Sequence, residues 1–424
     1  MIEKIKSVLK KAEITGYTIA ETRTESAECF FIRKNLDMKR RTDLVEYDVT
    51  VFHPFMKDEK PMMGSSSVQI HPEMEEEEIE TVLRSAYHAA SFVANPAYRL
   101  VTGKAREHIP SDSTLAGRGL FENVKEMTKA LFAADTREEV FLNSAELFAR
   151  RLLRRIVGSG GVDVSYETCE VSGEYVVQCV SPQDVETYHS FSYRNLDTED
   201  LRREVEEALE MTLARAQAVR SPQAGKYRVL LSGESMRTFF SYYLERSSSS
   251  MIYQEYSGYQ NGMPVQGEAI RGDALNLVLK ARDPYSQEGV PMRDRVLLEN
   301  GILRTIHGNN RFACYLGIEP TGIYDSISVS VGSTPFDEMK REPYLHIVSF
   351  SDFQMDSFSG HFGGEIRLAF LYDGKTVTPV TGGSVNGSIL KVQEHMIFSR
   401  ERYRNGKYEG PYAVSLEGVP VAGA

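Results

Sequence analysis

The stretch from Asp283 to Gly317, DPYSQEGVPMRDRVLLENGILRTIHGNNRFACYLG, constrains the chain more than any other. Within it, Asn300-Gly301 stands between the apolar runs Val296-Leu297-Leu298 and Ile302-Leu303. A type I′ turn needs positive φ at both central residues, and Asn-Gly meets that demand at low steric cost. Glu299-Asn300-Gly301 therefore predicts the tip of a tight antiparallel hairpin. Upstream, Gly289-Val290-Pro291 reads as a corner leading into the first of its strands.

Around this hairpin lies a chain of 424 residues, enough for two or three domains at roughly 150 residues each. Its hydrophobic and charged fractions, 41% and 26%, are those of a globular protein with a substantial core. The net charge of −11 argues against nucleic acid as a main partner, because phosphate binding relies on concentrated Lys and Arg. Two basic clusters, Arg150-Arg151 with Arg154-Arg155 and Lys39-Arg40-Arg41, lack interleaved aromatics and read as solvated faces or salt links. Four cysteines (Cys29, Cys169, Cys179 and Cys314) show no CxxC or Cys/His spacing for zinc. Cys169 and Cys179 would approach across a hairpin at Ser172-Gly173-Glu174, and reduced thiols are preferred to a disulfide there. No run approaches the roughly 18 apolar residues that span a bilayer, and the N-terminus opens an amphipathic helix instead of a leader. The expectation is a cytoplasmic protein without a membrane segment.

Ile2, Ile5, Val8, Leu9 and Ala12 recur at helical spacing. Strand signals follow at Glu28–Arg33, Leu44–Phe52 and Val68–Ile70. A second helix is announced by Pro72 and the acidic run Glu75 to Glu78, and carries the stripe Ile79, Val82, Leu83, Ala86, Ala90 and Val93. The middle region predicts a helix on Leu120, Phe121, Val124, Met127 and Leu131, then strands from about Glu146 to Tyr193. Asp197 is the N-cap candidate of a long helix from Thr198 to Ala218. Ser221 to Gly225 reads as a linker. Beyond it, Tyr227–Leu231 predicts a buried strand, and Met236, Phe239, Phe240, Tyr243 and Leu244 a helix. A second hairpin is expected at Tyr372-Asp373-Gly374, before the Gly-rich stretch Gly382-Gly383 to Gly387. The fold class is α+β: a helix–sheet–helix domain over 1–95, a central α/β domain over 96–225, and a mostly antiparallel β domain over 226–424.

The Gly-Val-Pro corner, the Glu-Asn-Gly hairpin and the Gly-rich closing strands resemble the C-terminal domain of the TldD/PmbA family, the so-called modulators of DNA gyrase. In the catalytic branch of that family, a helix carrying His-Glu-x-x-x-His follows a strand and a glycine turn, and a C-terminal cysteine completes the zinc site. Counting from Val229-Leu230-Leu231 through Ser232-Gly233 places Ser241, Tyr242 and Arg246 at those three helix positions. No histidine occurs between His189 and His307, and no cysteine follows Cys314. The resemblance therefore implies no catalytic residue, no metal and no cofactor in this chain. It implies the PmbA (TldE) kind of member: a non-catalytic subunit that pairs with a TldD-type zinc peptidase, or with itself as a dimer, and walls a chamber for unfolded peptides.

Five residues stand as peptide-cleft candidates. Tyr253, Tyr256 and Tyr259 lie on a Gly-containing loop suited to covering a cleft, with an ordinary amphipathic loop as the alternative. His361 and Glu365 flank the Gly-rich sequence Phe362-Gly363-Gly364, where a turn with a surface histidine is preferred to a substrate contact. His346, His395 and Glu394 could join them in a metal site, but satisfied strand histidines are preferred. No nucleophile elbow or phosphate loop is present. Besides the subunit reading, two others stand: a stand-alone homodimeric module that binds extended peptides, and an enzyme whose site has moved to His361 and Glu365.

Overall fold

The computed structural model describes residues 1–423. Strand outweighs helix, 43% against 22%, and the sheets are mostly antiparallel, which bears out the α+β class. The first half comprises α1 (Ile2–Lys11), β1 (Gly16–Ile32), β2 (Asn35–Lys57), β3 (Lys60–Ile70), α2 (Glu76–Ala90), β4 (Asn95–Pro96), α3 (Leu120–Ala133), β5 (Val140–Gly158), β6 (Asp163–Cys179), β7 (Val185–Tyr193) and α4 (Thr198–Gln217). Its strands form one seven-stranded sheet in the order β4-β3-β2-β1-β5-β6-β7. The pairing of β1 with β5, from Thr18 with Gly158 to Ile32 with Ser144, carries this sheet across residue 95.

The strands are far longer than their sequence signals. The turns joining them explain why. Arg33 takes φ 56 between β1 and β2, and Asp58 and Glu59 take φ 50 and 61 between β2 and β3. Left-handed turns built without glycine give little sequence warning. Two cores line the sheet: α1 and α2 pack Ile5, Leu9, Ile79 and Leu83 against Ile19, Val49 and Val51. Further along, α3 and α4 pack Val124, Met127, Leu131, Leu201, Val205 and Leu209 against Leu147, Val171 and Val177. Val93 and Phe121, expected on apolar stripes, are instead 40% and 42% exposed. Asp197 caps α4 as expected, its Oδ1 accepting from the backbone of Glu199 and Asp200 at 3.0 and 3.2 Å.

The hairpin expected at Gly173 does not exist. Gly173 lies within the continuous strand β6, opposite Leu147 on one side and Phe191 on the other. A Cβ there would come within 2.7 Å of Leu147 and 2.6 Å of Phe191, so the glycine serves close side-chain packing. Cys169 and Cys179 consequently sit ten positions apart on one strand, about 33 Å at 3.3 Å per residue, and cannot pair. All four thiols are free.

The second half begins with β8 (Gly225–Ser232), α5 (Ser235–Arg246) and α6 (Ser249–Tyr253), followed by β9 (Leu277–Lys280), β10 (Arg295–Glu299), β11 (Ile302–Leu303), α7 (Asn310–Leu316) and β12 (Ser326–Val329). Then come β13 (Tyr344–Phe350), β14 (Gln354–Met355), β15 (His361–Tyr372), β16 (Val377–Val380), β17 (Ser384–Ser388), β18 (Ile397–Phe398), β19 (Arg402–Asn405), β20 (Tyr408–Pro411) and β21 (Ala413–Ala422). They form a six-stranded sheet, β11-β10-β9-β12-β20-β19, and an eight-stranded one built on β13-β8-β21-β17-β15-β14. The opening hairpin is as expected, with Glu299 opposite Ile302, Asn300 at φ 51 and Gly301 at φ 75. Gly289, at φ 81, makes the corner, where Ser286 N donates to Val290 O at 2.8 Å. Helix α5 runs through the core of this half, with Met236, Phe239, Phe240 and Tyr243 fully buried.

Candidate functional site

The site is built around α5. Gly233, at φ 72, turns the chain from β8 into the helix, a conformation that favours a residue without Cβ. Phe239 then meets Phe362 of β15 edge-on at 5.3 Å, and Phe240 stacks on Tyr408 of β20 at 6.2 Å. Each large buried ring contributes about 1.5–3 kcal/mol, so both sheets grip the helix in one rotational setting. The Tyr243 hydroxyl donates to Gln393 Oε1 at 2.8 Å. At the far end, His307 fits its Nε2 to the Leu244 carbonyl at 2.8 Å, which satisfies a carbonyl of the last turn.

This setting determines where Ser241, Tyr242 and Arg246 go. Ser241 and Tyr242 are buried, and Ser241 Oγ donates back to the Thr238 carbonyl at 2.8 Å. The Tyr242 ring lies under Gly360, where a Cβ would approach it to 3.4 Å. Arg246 Nη1 donates to the Tyr256 carbonyl at 2.5 Å, and its guanidinium lies 5.3 Å from the Tyr259 ring. Tyr259 is buried over the same spot. Burial, first, and then the adjacent Tyr242 phenol push the Tyr259 phenol well above its ordinary pKa, against the opposing pull of Arg246. The Tyr259 loop is thus fastened onto α5 by a cation, a backbone carbonyl and two phenols.

These residues do not fit a zinc ion. A hydroxyl committed to the helix backbone, a neutral phenol and a guanidinium supply neither imidazole nor carboxylate, and the guanidinium repels a cation. Among the described residues, no three His, Cys, Asp or Glu side chains gather in an arrangement able to hold a metal.

The other candidates divide. Tyr256 and Tyr259 belong to the α5 cluster. Tyr253 does not: it lies in α6 and packs against Tyr315 of α7 at 4.7 Å. Tyr256 is 51% exposed and meets Phe358, itself 63% exposed, edge-on at 5.3 Å. Phe358 caps a loop tied down by the bond of Glu245 with Ser357 Oγ and by Asp356, whose carboxylate accepts from Phe358 N at 2.9 Å. The Ser359 hydroxyl and the Phe358 amide hold the Asp356 carboxyl below its usual range. His361 Nδ1 lies 2.9 Å from Ser359 Oγ at the base of that loop. Glu365 is four positions along β15, about 13 Å away, so His361 and Glu365 share a strand without converging. His346 is buried against Ser232 Oγ, Glu394 accepts from Ala269 N and His395 is exposed, so these three do not assemble.

A second feature gave little sequence signal. A cavity of about 910 Å³ opens between the first half and the start of α5, walled by β7, α4, the Ser232–Ser235 turn, β13 and β15. Its charged groups come from segments far apart in sequence, among them Glu204, Glu207 and Arg215 on α4, Glu234 and Arg367.

The fold and this helix define the class: an α+β protein whose C-terminal half embeds a strand–turn–helix unit between two sheets. Residues 224–423 match the PmbA/TldA metallopeptidase C-terminal domain family. That match spans just under half of the chain, and through it the C-terminal half is similar to the TldD/PmbA proteins. It is 27% identical over 150 residues to the metalloprotease TldD homolog of Buchnera aphidicola subsp. Acyrthosiphon pisum, a match over 32% of this chain and 31% of that protein. The matched segment is thus under a third of that relative's length. The crystal structure of TldE from Thermococcus kodakarensis superposes with a TM-score of 0.77 at 18% identity, over 99% of this chain and all of the other. A candidate modulator of a DNA gyrase from Thermotoga maritima superposes with a TM-score of 0.76 at 17% identity, each chain covered in full. At these identities the two structures establish a shared fold alone.

Proposed function

We propose that this chain is the non-catalytic, TldE-like subunit of a peptide-trimming metallopeptidase complex, where it completes the partner's fold and forms part of the peptide path. The observation that carries this reading is the occupation of the three α5 positions by Ser241, Tyr242 and Arg246, with Arg246 and Tyr259 closing over them. A helix kept so firmly in place without metal ligands suits a scaffold role better than hydrolysis. The exposed Tyr256–Phe358 pair beside it offers flat apolar surface for a peptide or a partner. Peptide handling rather than nucleic-acid binding also agrees with the net charge of −11.

The test is co-expression with a TldD-type chain from the same genome, followed by size-exclusion chromatography, zinc analysis and cleavage of an unfolded peptide. The expected result is a stable mixed complex with one zinc per TldD-type chain, and cleavage only by the complex. Stoichiometric zinc and chelator-sensitive cleavage by the lone chain would overturn the assignment.

A further inference from the structure

The cavity between β7, α4 and the start of α5 gathers carboxyl groups and arginines that form no ion pair among the described residues. On α4, Glu204, Glu207, Met211 and Arg215 follow at intervals of three and four, which aligns them as one stripe along the cavity wall. Its N-terminal end is acidic. Glu234, at the turn into α5, joins Glu204 and Glu207 there, and the buried phenols of Tyr175 and Tyr403 feel all three carboxylates. Neither Glu207 nor Glu234 has a cationic partner in an ion pair among the described residues, and Arg203, beside Glu207, is bonded to Asp200.

The other end is cationic. Arg215 and Arg367 of β15 both line the cavity here, and burial, seconded by Arg367, holds the Arg215 guanidinium below its ordinary pKa. Arg367 Nη2 donates to Ser351 Oγ at 2.8 Å, and Asp352 on the same rim accepts from Gln354 instead of an arginine. Two adjacent guanidiniums without a carboxylate form a ready fork for an anionic group. The chain makes ion pairs at many other places, so this separation of signs within one cavity is a property of the site.

The two ends are eight to eleven positions apart on α4, which at 1.5 Å per residue is about 12–16 Å. An extended peptide covers that distance in about four residues at 3.3–3.6 Å each. The cavity volume of about 910 Å³ lies within the range of ligand pockets. It also opens on β7, the last strand of its sheet, which pairs with β6 alone.

The geometry points to a binding site for a short peptide of about four residues with free ends, its terminal ammonium held by Glu204, Glu207 and Glu234 and its terminal carboxylate by Arg215 and Arg367. This site lies wholly within one chain, so it stands or falls apart from the partner role proposed above. Titration calorimetry of the full chain with tetra-alanine tests it, alongside the N-acetylated, C-amidated and doubly blocked forms. Free tetra-alanine should bind, and blocking either end should weaken binding at least about tenfold, the worth of one charge-assisted hydrogen bond. Arg215→Gln with Arg367→Gln should reproduce the effect of amidation and add nothing to it. Glu207→Gln with Glu234→Gln should do the same for acetylation. No binding by the free peptide, or equal binding by the doubly blocked peptide, would overturn the inference with the native protein alone. A variant that binds all four peptides like the native chain would refute the role of its pair.

Discussion

His346 shows how one buried side chain sets a property of the whole protein. Its ring lies among Phe336, Phe370 and the Ser232 hydroxyl, with Lys340 nearby. Burial, seconded by Lys340, drives its pKa down to about 3. The unfolded chain takes up this proton near pH 6.5 and the folded chain does not, so stability is full above pH 6.5 and falls as the pH drops towards 3. By pH 5 the loss from this group is about 2 kcal/mol. Burial lowers His189 to about 4, which adds a fall of the same sign. Urea unfolding at pH 7.5 and pH 5 should show the native chain weakening, while His346→Gln loses its share of that slope. Equal slopes would remove His346 as a source of acid lability. Tyr243 gives a second prediction at this scale. Tyr243→Phe strips Gln393 Oε1 of its buried donor and should cost about 1–3 kcal/mol in the same unfolding assay.

Among the elements, the two glycines that sequence analysis weighed alike turned out to do opposite things. Gly301 does what Asn-Gly promises: it bends the chain at φ 75, and a Cβ would lie 2.9 Å from Gln266 and Ile270. Gly173 bends nothing, and is small because Leu147 and Phe191 meet across it. A glycine needed for φ is announced by its neighbours in sequence, whereas a glycine needed for space is announced only by residues on adjacent strands. The same division governs the rest of the chain. Helices α4 and α5 were readable because their caps and stripes are local. The long strands were not, because left-handed Arg33, Asp58 and Glu59 hid their turns. In the site, the α5 positions could be counted from a local strand–turn–helix pattern, but the cavity draws on residues up to 237 positions apart, from Tyr175 to Tyr412. Gly173→Ala should overpack the sheet by about 1–3 kcal/mol while leaving far-ultraviolet circular dichroism unchanged. A loss of strand signal in that variant would return Gly173 to a role in turning the chain.

At the scale of the molecule, the two halves meet through directed polar contacts and a buried cluster in which Tyr285 packs with Ile156, Val162, Val164 and Tyr166. Arg194 pairs with Asp283 at 2.7 Å, and Arg282 pairs with Glu170, both across the line between the seven-stranded sheet and the C-terminal half. Asn310 Nδ2 donates to the Arg99 carbonyl at 2.7 Å, and the Tyr315 hydroxyl to that of Pro96 at 2.6 Å, which seats α7 on the end of β4 and the segment after it. The Arg282 and Glu170 side chains are 19% and 28% exposed. Such a pair is dry enough to exceed the near-zero worth of a surface ion pair, and wet enough to escape the full penalty of burial. Arg282→Ala should therefore cost about 1–3 kcal/mol, and a double-mutant cycle with Glu170→Ala should return a coupling of about 1 kcal/mol or more. The first local consequence should be faster hydrogen exchange where the halves touch, in β6 near Glu170 and in the corner from Asp283 to Pro291, with the β9–β10 ladder still protected. Single and double variants that unfold at additive denaturant midpoints would show the pair to be incidental. The joint would then rest on the Tyr285 cluster and the seating of α7 against Pro96 and Arg99.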